Sequence, residues 1–219
     1  HLIRNLERIT SENSIFNYKS GRKAFLSLGQ GSINVWLEKF LPNTRIILEP
    51  KIIGSIIGIQ YIDGKLNKAI NENSEDITES VMSLKNIPKF LSIKNKIEIR
   101  GVLYHNKSTS IQNNEIEIIE IQNSKLNIKR LRFCAFQIFH CNINHFQSLQ
   151  ELKHLNFEIP QTQFTNFISD IEIYLQCWRE GKLFTSYPTN GLVLKINSRK
   201  LQKYLGGNNI SIPWAYAVN

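Results

Sequence analysis

The stretch Ile47-Leu48-Glu49-Pro50-Lys51-Ile52-Ile53-Gly54 holds the residues best suited to chemistry: an apolar run delivers Lys51 behind an acid and a proline and closes on a glycine. A lysine displayed at a strand end can attack the α-phosphate of a nucleotide when its amine is partly deprotonated and in line with the leaving group. The same reaction needs the ribose held and the phosphate charge neutralised by a metal or by fixed cations. The position two after Lys51, where this chemistry wants a carboxylate, is Ile53. Against that stands the plain alternative of a surface lysine at a strand end. Lys195, inside the apolar run Gly191 to Ile196, is open to two roles as well: a phosphate-binding cation, or the partner of Glu49 or Glu98 in a structural ion pair. His140, Cys141 and His145 are metal-ligand types, but they fall in a strand-to-helix connection and read as an ordinary loop, so no metal site is expected.

The elements that must position these residues follow from periodicity and turn chemistry. His1 to Ser20 predicts a short amphipathic helix (Leu2, Ile3, Leu6, Ile9), an extension too small to be a domain, which leaves residues 21–219 as the domain proper. Phe25 to Gly29 is a short apolar strand or turn, and Ser32 starts a helix through Phe40. Strands are expected at Arg45–Lys51 and Ser55–Tyr61, with Asp63-Gly64 as a hairpin turn into Lys65–Ile70. A short helix over Asp76–Leu84 precedes Lys96–Tyr104, whose alternation predicts a half-buried strand. His105–Asn114 reads as a loop and Glu115–Gln122 as a strand. Further strands are expected at Leu131–Phe139, Phe157–Pro160 and Gly191–Ile196. The remaining helices fall at Phe146–Leu155, Phe167–Glu180 and Arg199–Leu205, the last stopped by Gly206-Gly207. Trp36, Trp178 and Trp214 lie on apolar faces and read as core. Hairpins with helices inserted between them predict an α+β fold with largely antiparallel sheets.

A chain of 219 residues, 42% of them hydrophobic, is long enough for one sizeable core. The net charge of +9 favours polyanionic partners, DNA or RNA among them, although basic residues spread along the chain equally describe a solvated surface. Three cysteines without a close Cys-x-x-Cys pair exclude a disulfide scaffold and a structural zinc site, and point to an intracellular, reducing compartment. The frequent Ile, Asn and Lys suit AT-rich coding, which keeps a nucleoid, plastid or other organelle open as the location. No run is apolar enough to span a bilayer, so no membrane association is expected.

The order of these segments resembles the adenylation (nucleotidyltransferase) domain of NAD-dependent DNA ligases, from Phe25 to Asn219. Phe25 to Leu28 is similar to the family's adenine-side segment and Glu49 to Gly54 to its Glu-x-Lys-x-Asp-Gly motif. Tyr61 to Leu66 resembles the hairpin that follows, and Glu75 to Thr78 with Ile87-Pro88 the Gly-Glu-Asp-Val-Thr helix and its exit. Glu98 to Gly101 and Phe133 to Phe136 resemble later family strands, Thr189 to Ile196 the Asp-Gly-Val-Val-Ile-Lys-Val motif, and Leu205-Gly206 with Pro213 to Ala217 the approach to the last lysine motif. The resemblance implies the nucleotidyltransferase fold, Lys51 as the adenylated nucleophile, and Ser27, Leu28, Glu49 and Lys195 as the nucleotide pocket. It also marks departures: Ile53, Val102 and Asn190 replace carboxylates, and Asn219 stands where the closing lysine belongs. The long segment expected after Val102 is absent, and His1 to Ser20 leaves no room for a module gripping the nicotinamide half of NAD. The other ligase modules are therefore expected to be missing.

Ile53 and Val102 can neither accept a ribose hydroxyl nor ligate a metal, and each such loss costs on the order of 10²-fold in rate. The expectation is a pseudoenzyme, a degenerate adenylation domain with no cofactor of its own. It would act as a structural or accessory subunit, bound to protein partners in an assembly that handles nucleic acid. The rival expectation is a minimal NAD- or ATP-dependent DNA ligase adenylyltransferase that uses Lys51 and Mg²⁺.

Overall fold

A computed structural model describes residues 2–10, 14–17, 27–29, 32–105, 131–206 and 211–218. The chain forms two compact units: one built from His1–Phe25, Ile53–Ile143 and Gln147–Ile159, the other from Leu26–Ile52, Asn144–Phe146 and Pro160–Asn219.

The first unit holds a four-stranded antiparallel sheet in the order β4-β3-β5-β6, made of β3 (Ser55–Ile62), β4 (Lys65–Ile70), β5 (Ile97–His105) and β6 (Leu131–Ile138). The β3–β4 hairpin turns through Asp63 and Gly64, both at positive φ, as the right-handed strand twist requires of a two-residue turn. Ile57, Ile59 and Tyr61 of β3 and Ile97, Ile99 and Leu103 of β5 enter one apolar core with Phe133, Leu149 and Leu152. Contrary to the expected half-buried alternation, β5 is buried on both faces up to its last residue, so Glu98, Arg100 and Val102 are inside as well. Period-2 patterning marks which residues share a face; it does not reveal that a second layer covers the polar face. Helix α2 (Thr78–Met82) packs on β4, with Asp76 accepting from the Thr78 backbone N–H and hydroxyl.

The expected amphipathic helix over His1–Ser20 is not what the described residues form. They hold short 3-10 turns at Leu2–Asn5 and Ile15–Asn17. Between them the chain pairs with backbone: Leu6 bridges Cys141, Glu7 N–H donates to the His140 carbonyl, and Asn142 N–H donates to the Asn5 carbonyl. Those strand-like bonds take the donors and acceptors that a helix would need.

The second unit holds a five-stranded sheet in the order β1-β9-β8-β2-β7. Its strands are β1 (Ser27–Gly29), β2 (Ile46–Ile52), β7 (Gln163–Thr165), β8 (Thr189–Ile196) and β9 (Ser211–Val218); β1 and β9 pair in parallel and the other neighbours antiparallel. Helices α1 (Ile33–Leu37), α4 (Ile168–Arg179) and α5 (Arg199–Leu205) belong to this unit, and α3 (His145–His154) begins in it. Trp36 is buried, meets Phe40 edge to face and Tyr216 at a tilt, and donates from Nε1 to the Pro213 carbonyl at 2.8 Å. Pro213 lies inside β9, a strand not expected from sequence because proline lowers strand propensity. The expected strand at Phe157–Pro160 contracts to a single parallel bridge between Glu158 and Cys134. The expected 105–114 loop, apart from His105, and the expected 115–122 strand lie outside the described residues.

Candidate active site

Strands β2 and β8 pair with Ile47 opposite Lys195 and Glu49 opposite Val193, which puts the Glu49 and Lys195 side chains on one face as diagonal neighbours. Lys195 Nζ donates to Glu49 Oε2 at 2.6 Å. The other carboxylate oxygen, Oε1, receives His145 Nε2. Glu49, Lys195 and His145 are all buried, with 3%, 6% and 6% of their surfaces exposed. His145 reaches this position because the start of α3 is fastened locally: His145 N–H donates to the Asn197 carbonyl, Phe146 N–H to Asn197 Oδ1, and Arg199 N–H to Asn144 Oδ1. Two asparagines thus pin the helix start to the segment that follows β8.

Electrostatics fix the charge states. Burial would raise the Glu49 pKa, but the Lys195 ammonium, with help from His145, outweighs it and lowers the value from 4.5 to about 2. Burial, reinforced by Lys195, lowers the pKa of His145, and the attraction of Glu49 only partly offsets that. The imidazole is therefore neutral at pH 7 and donates its Nε2–H to an ionised carboxylate. Among the alternatives left open for Lys195, the structure realises the ion pair with Glu49.

Lys51 stands where the register slips. Pro50 faces Leu192 and Ile52 faces Thr189, so Asn190 and Gly191 together oppose Lys51 in a β-bulge. Gly191 has φ 136°, a conformation other residues adopt only with strain. Lys51 itself is half-buried. After Ile52 the chain enters the first unit. There Gly54 passes so close to β5 that a Cβ would stand 2.0 Å from the Leu103 carbonyl oxygen and 2.9 Å from Val102 Cγ2. Ile53 is half-buried and Val102 fully buried in that unit. Ser27 and Leu28 lie in β1, which β9 and β8 separate from β2 in the sheet order. Asn219 lies outside the described residues.

Sequence reasoning missed His145, which it placed in an ordinary loop. No local signal marked it: Asn144 Oδ1 accepts from the Arg199 backbone N–H, far along the chain, and the placement of His145 rests on that pairing. His140 and Cys141 do not join it: Cys141 is buried against Leu6, and His140 lies 3.9 Å from Glu7. No group of three His, Cys, Asp or Glu among the described residues is arranged to hold a metal.

Two largely antiparallel sheets with helices make up a ligase-type nucleotidyltransferase fold. It is shared by an archaeal ATP-dependent RNA ligase (TM-score 0.55, 13% identity, over 80% of this chain and 45% of that one). A Lig E DNA ligase structure, described as DNA binding with a minimal scaffold, aligns with TM-score 0.50 and 15% identity over 83% of this chain and 64% of that one. The sequence narrows the class: residues 24–126 match the model of the NAD-dependent DNA ligase adenylation domain. The DNA ligase of Endomicrobium trichonymphae is 29% identical over 80% of this chain and 30% of its own length. That of Metamycoplasma arthritidis is 27% identical over 93% of this chain and 36% of its own. The chain is thus similar to the adenylation domain of NAD-dependent DNA ligases and spans about a third of the length of these relatives. No helix among the described residues is long and apolar enough to cross a membrane.

Proposed function

We propose that this chain is a catalytically inactive ligase adenylation domain that serves as a binding subunit in a nucleic-acid-handling assembly. The observation that carries this reading is the engagement of Glu49: both oxygens of this pocket residue are taken, one by Lys195 and the other by His145. A nucleotide would have to displace a buried charge-assisted contact to reach either residue, and breaking such a pair costs several kcal/mol. The aliphatic Ile53 and Val102 reinforce the reading, since adenylation of Lys51 would lack the groups that hold sugar and cation. Asn190 opposite Lys51 keeps the shape of an aspartate without its charge. The net charge of +9 suits a polyanionic neighbour.

The rival reading is a minimal NAD- or ATP-dependent adenylyltransferase, favoured by the bulge that sets Lys51 against Asn190 and Gly191. Incubation with radiolabelled ATP or NAD and Mg²⁺ separates the two. The inactive domain retains no denaturation-stable label. A label that disappears in Lys51→Ala establishes the enzyme.

A further inference from the structure

In the second unit, α1, α4 and the end of β9 enclose an open groove of about 430 Å³. Its floor is apolar, with Ile171 and Leu175 buried, and its rim exposes Ile168 at 50% and, beside it, Val35 at 57% and Phe167 at 61%. Single exposed apolar residues are ordinary, but several around one concave apolar surface mark a place for a partner.

The charges on α4 indicate which partner. Glu172 and Arg179 both line the groove and both are exposed. They are seven residues apart on one stripe of the helix, about 10 Å along its axis, with Leu175 and Gln176 midway. A helix bearing an acid and a base symmetrically about its midpoint is complementary to itself when turned end for end. A two-fold axis through the midpoint sets Glu172 of each copy against Arg179 of the other, twice, with the exposed Gln176 side chains near the axis. We propose that this groove is a homodimer interface in which α4 of one copy packs antiparallel on α4 of a second copy. A contact of this kind closes on itself and leaves no complementary surface for chain growth.

Sedimentation equilibrium of the purified chain, from micromolar to several hundred micromolar, reads the association. The expected result is a reversible dimer. Glu172→Arg alone, or Arg179→Glu alone, sets like charges together twice and weakens the dimer by about tenfold or more. The double variant Glu172→Arg/Arg179→Glu restores the pairing with reversed polarity and recovers dimerisation. Both positions are exposed, so unchanged melting temperatures at concentrations where every variant is monomeric will separate lost association from lost folding. A chain that stays monomeric throughout overturns the proposal, as does a dimer indifferent to the single reversals or one that the double variant fails to restore. None of these readouts depends on whether Lys51 is adenylated.

Discussion

Each of the two compact units buries a strand carboxylate, and the two are neutralised in opposite ways. Glu98 on β5 is fully buried and is served mainly by neutral donors: Gln60 Nε2 at 3.0 Å, the Ile15 backbone N–H at 3.0 Å and the Ser14 hydroxyl. A single cation, Lys96, approaches at 3.5 Å from a partly exposed position. Glu49 on β2 is served by a fully buried ammonium and an imidazole. Donors to Glu98 come from another strand and from the N-terminal segment, so that carboxylate works as a clasp holding Ser14 and Ile15 in place. Glu49 instead closes a charge pair whose members the family resemblance assigns to a nucleotide pocket. The contrast separates a carboxylate held mainly by neutral donors from one held in a buried charge pair.

Breaking the Glu49 pair has the largest expected effect. Lys195→Met leaves a buried carboxylate without its cation and should cost about 3–5 kcal/mol in chemical denaturation, whereas the double variant Glu49→Gln/Lys195→Met should recover most of that loss. Trp36, Trp178 and Trp214 all lie in the second unit, so tryptophan fluorescence reports this site directly. Acid is the next test. A carboxylate whose folded pKa is depressed contributes stability above its unfolded value and loses it as pH falls through the folded one. For Glu49, lowered from 4.5 to about 2, roughly 3 kcal/mol should vanish across that window. His145 adds to the loss from the ordinary imidazole value of 6.5 downward, because the unfolded chain takes up a proton that the folded chain resists. Fluorescence-detected melts at stepped pH will check this, and Glu49→Gln should flatten the acid limb.

Glu98→Ala should cost about 2–3 kcal/mol, since its donors lose a charged acceptor in a buried place. Hydrogen exchange gives the sharper readout: protection of the Ile15 amide should disappear while that of the β2 amides persists. His145→Ala is the mildest, at about 1–2 kcal/mol, because Lys195 still holds the other Glu49 oxygen. If His145→Ala proves as damaging as Lys195→Met, the imidazole rather than the ammonium is the principal partner of Glu49.

Much of the fold was legible in the sequence. The β3–β4 hairpin, β2, β6, β8, α3, α4 and α5 all lie close to where periodicity and turn residues put them, because each depends on contacts local in the chain. The failures are non-local. Residues 2–10 surrendered a helical pattern to backbone pairing with His140 and Asn142, and β9 formed around Pro213 because neighbours lie on both of its sides. Within the candidate site, the Glu49–Lys195 pair was open to inference from residues on adjacent strands. His145 was not, since its approach depends on Asn144 and Asn197 folding together 53 positions apart in number. The slip that sets Asn190 and Gly191 against Lys51 likewise belongs to strand pairing rather than to either strand alone.

The most direct test of the central claim is the mass of the Lys51 peptide, measured on the chain as purified from cells and again after incubation with NAD and Mg²⁺. The account predicts an unmodified peptide in both samples; AMP joined to Lys51 Nζ in either would contradict it.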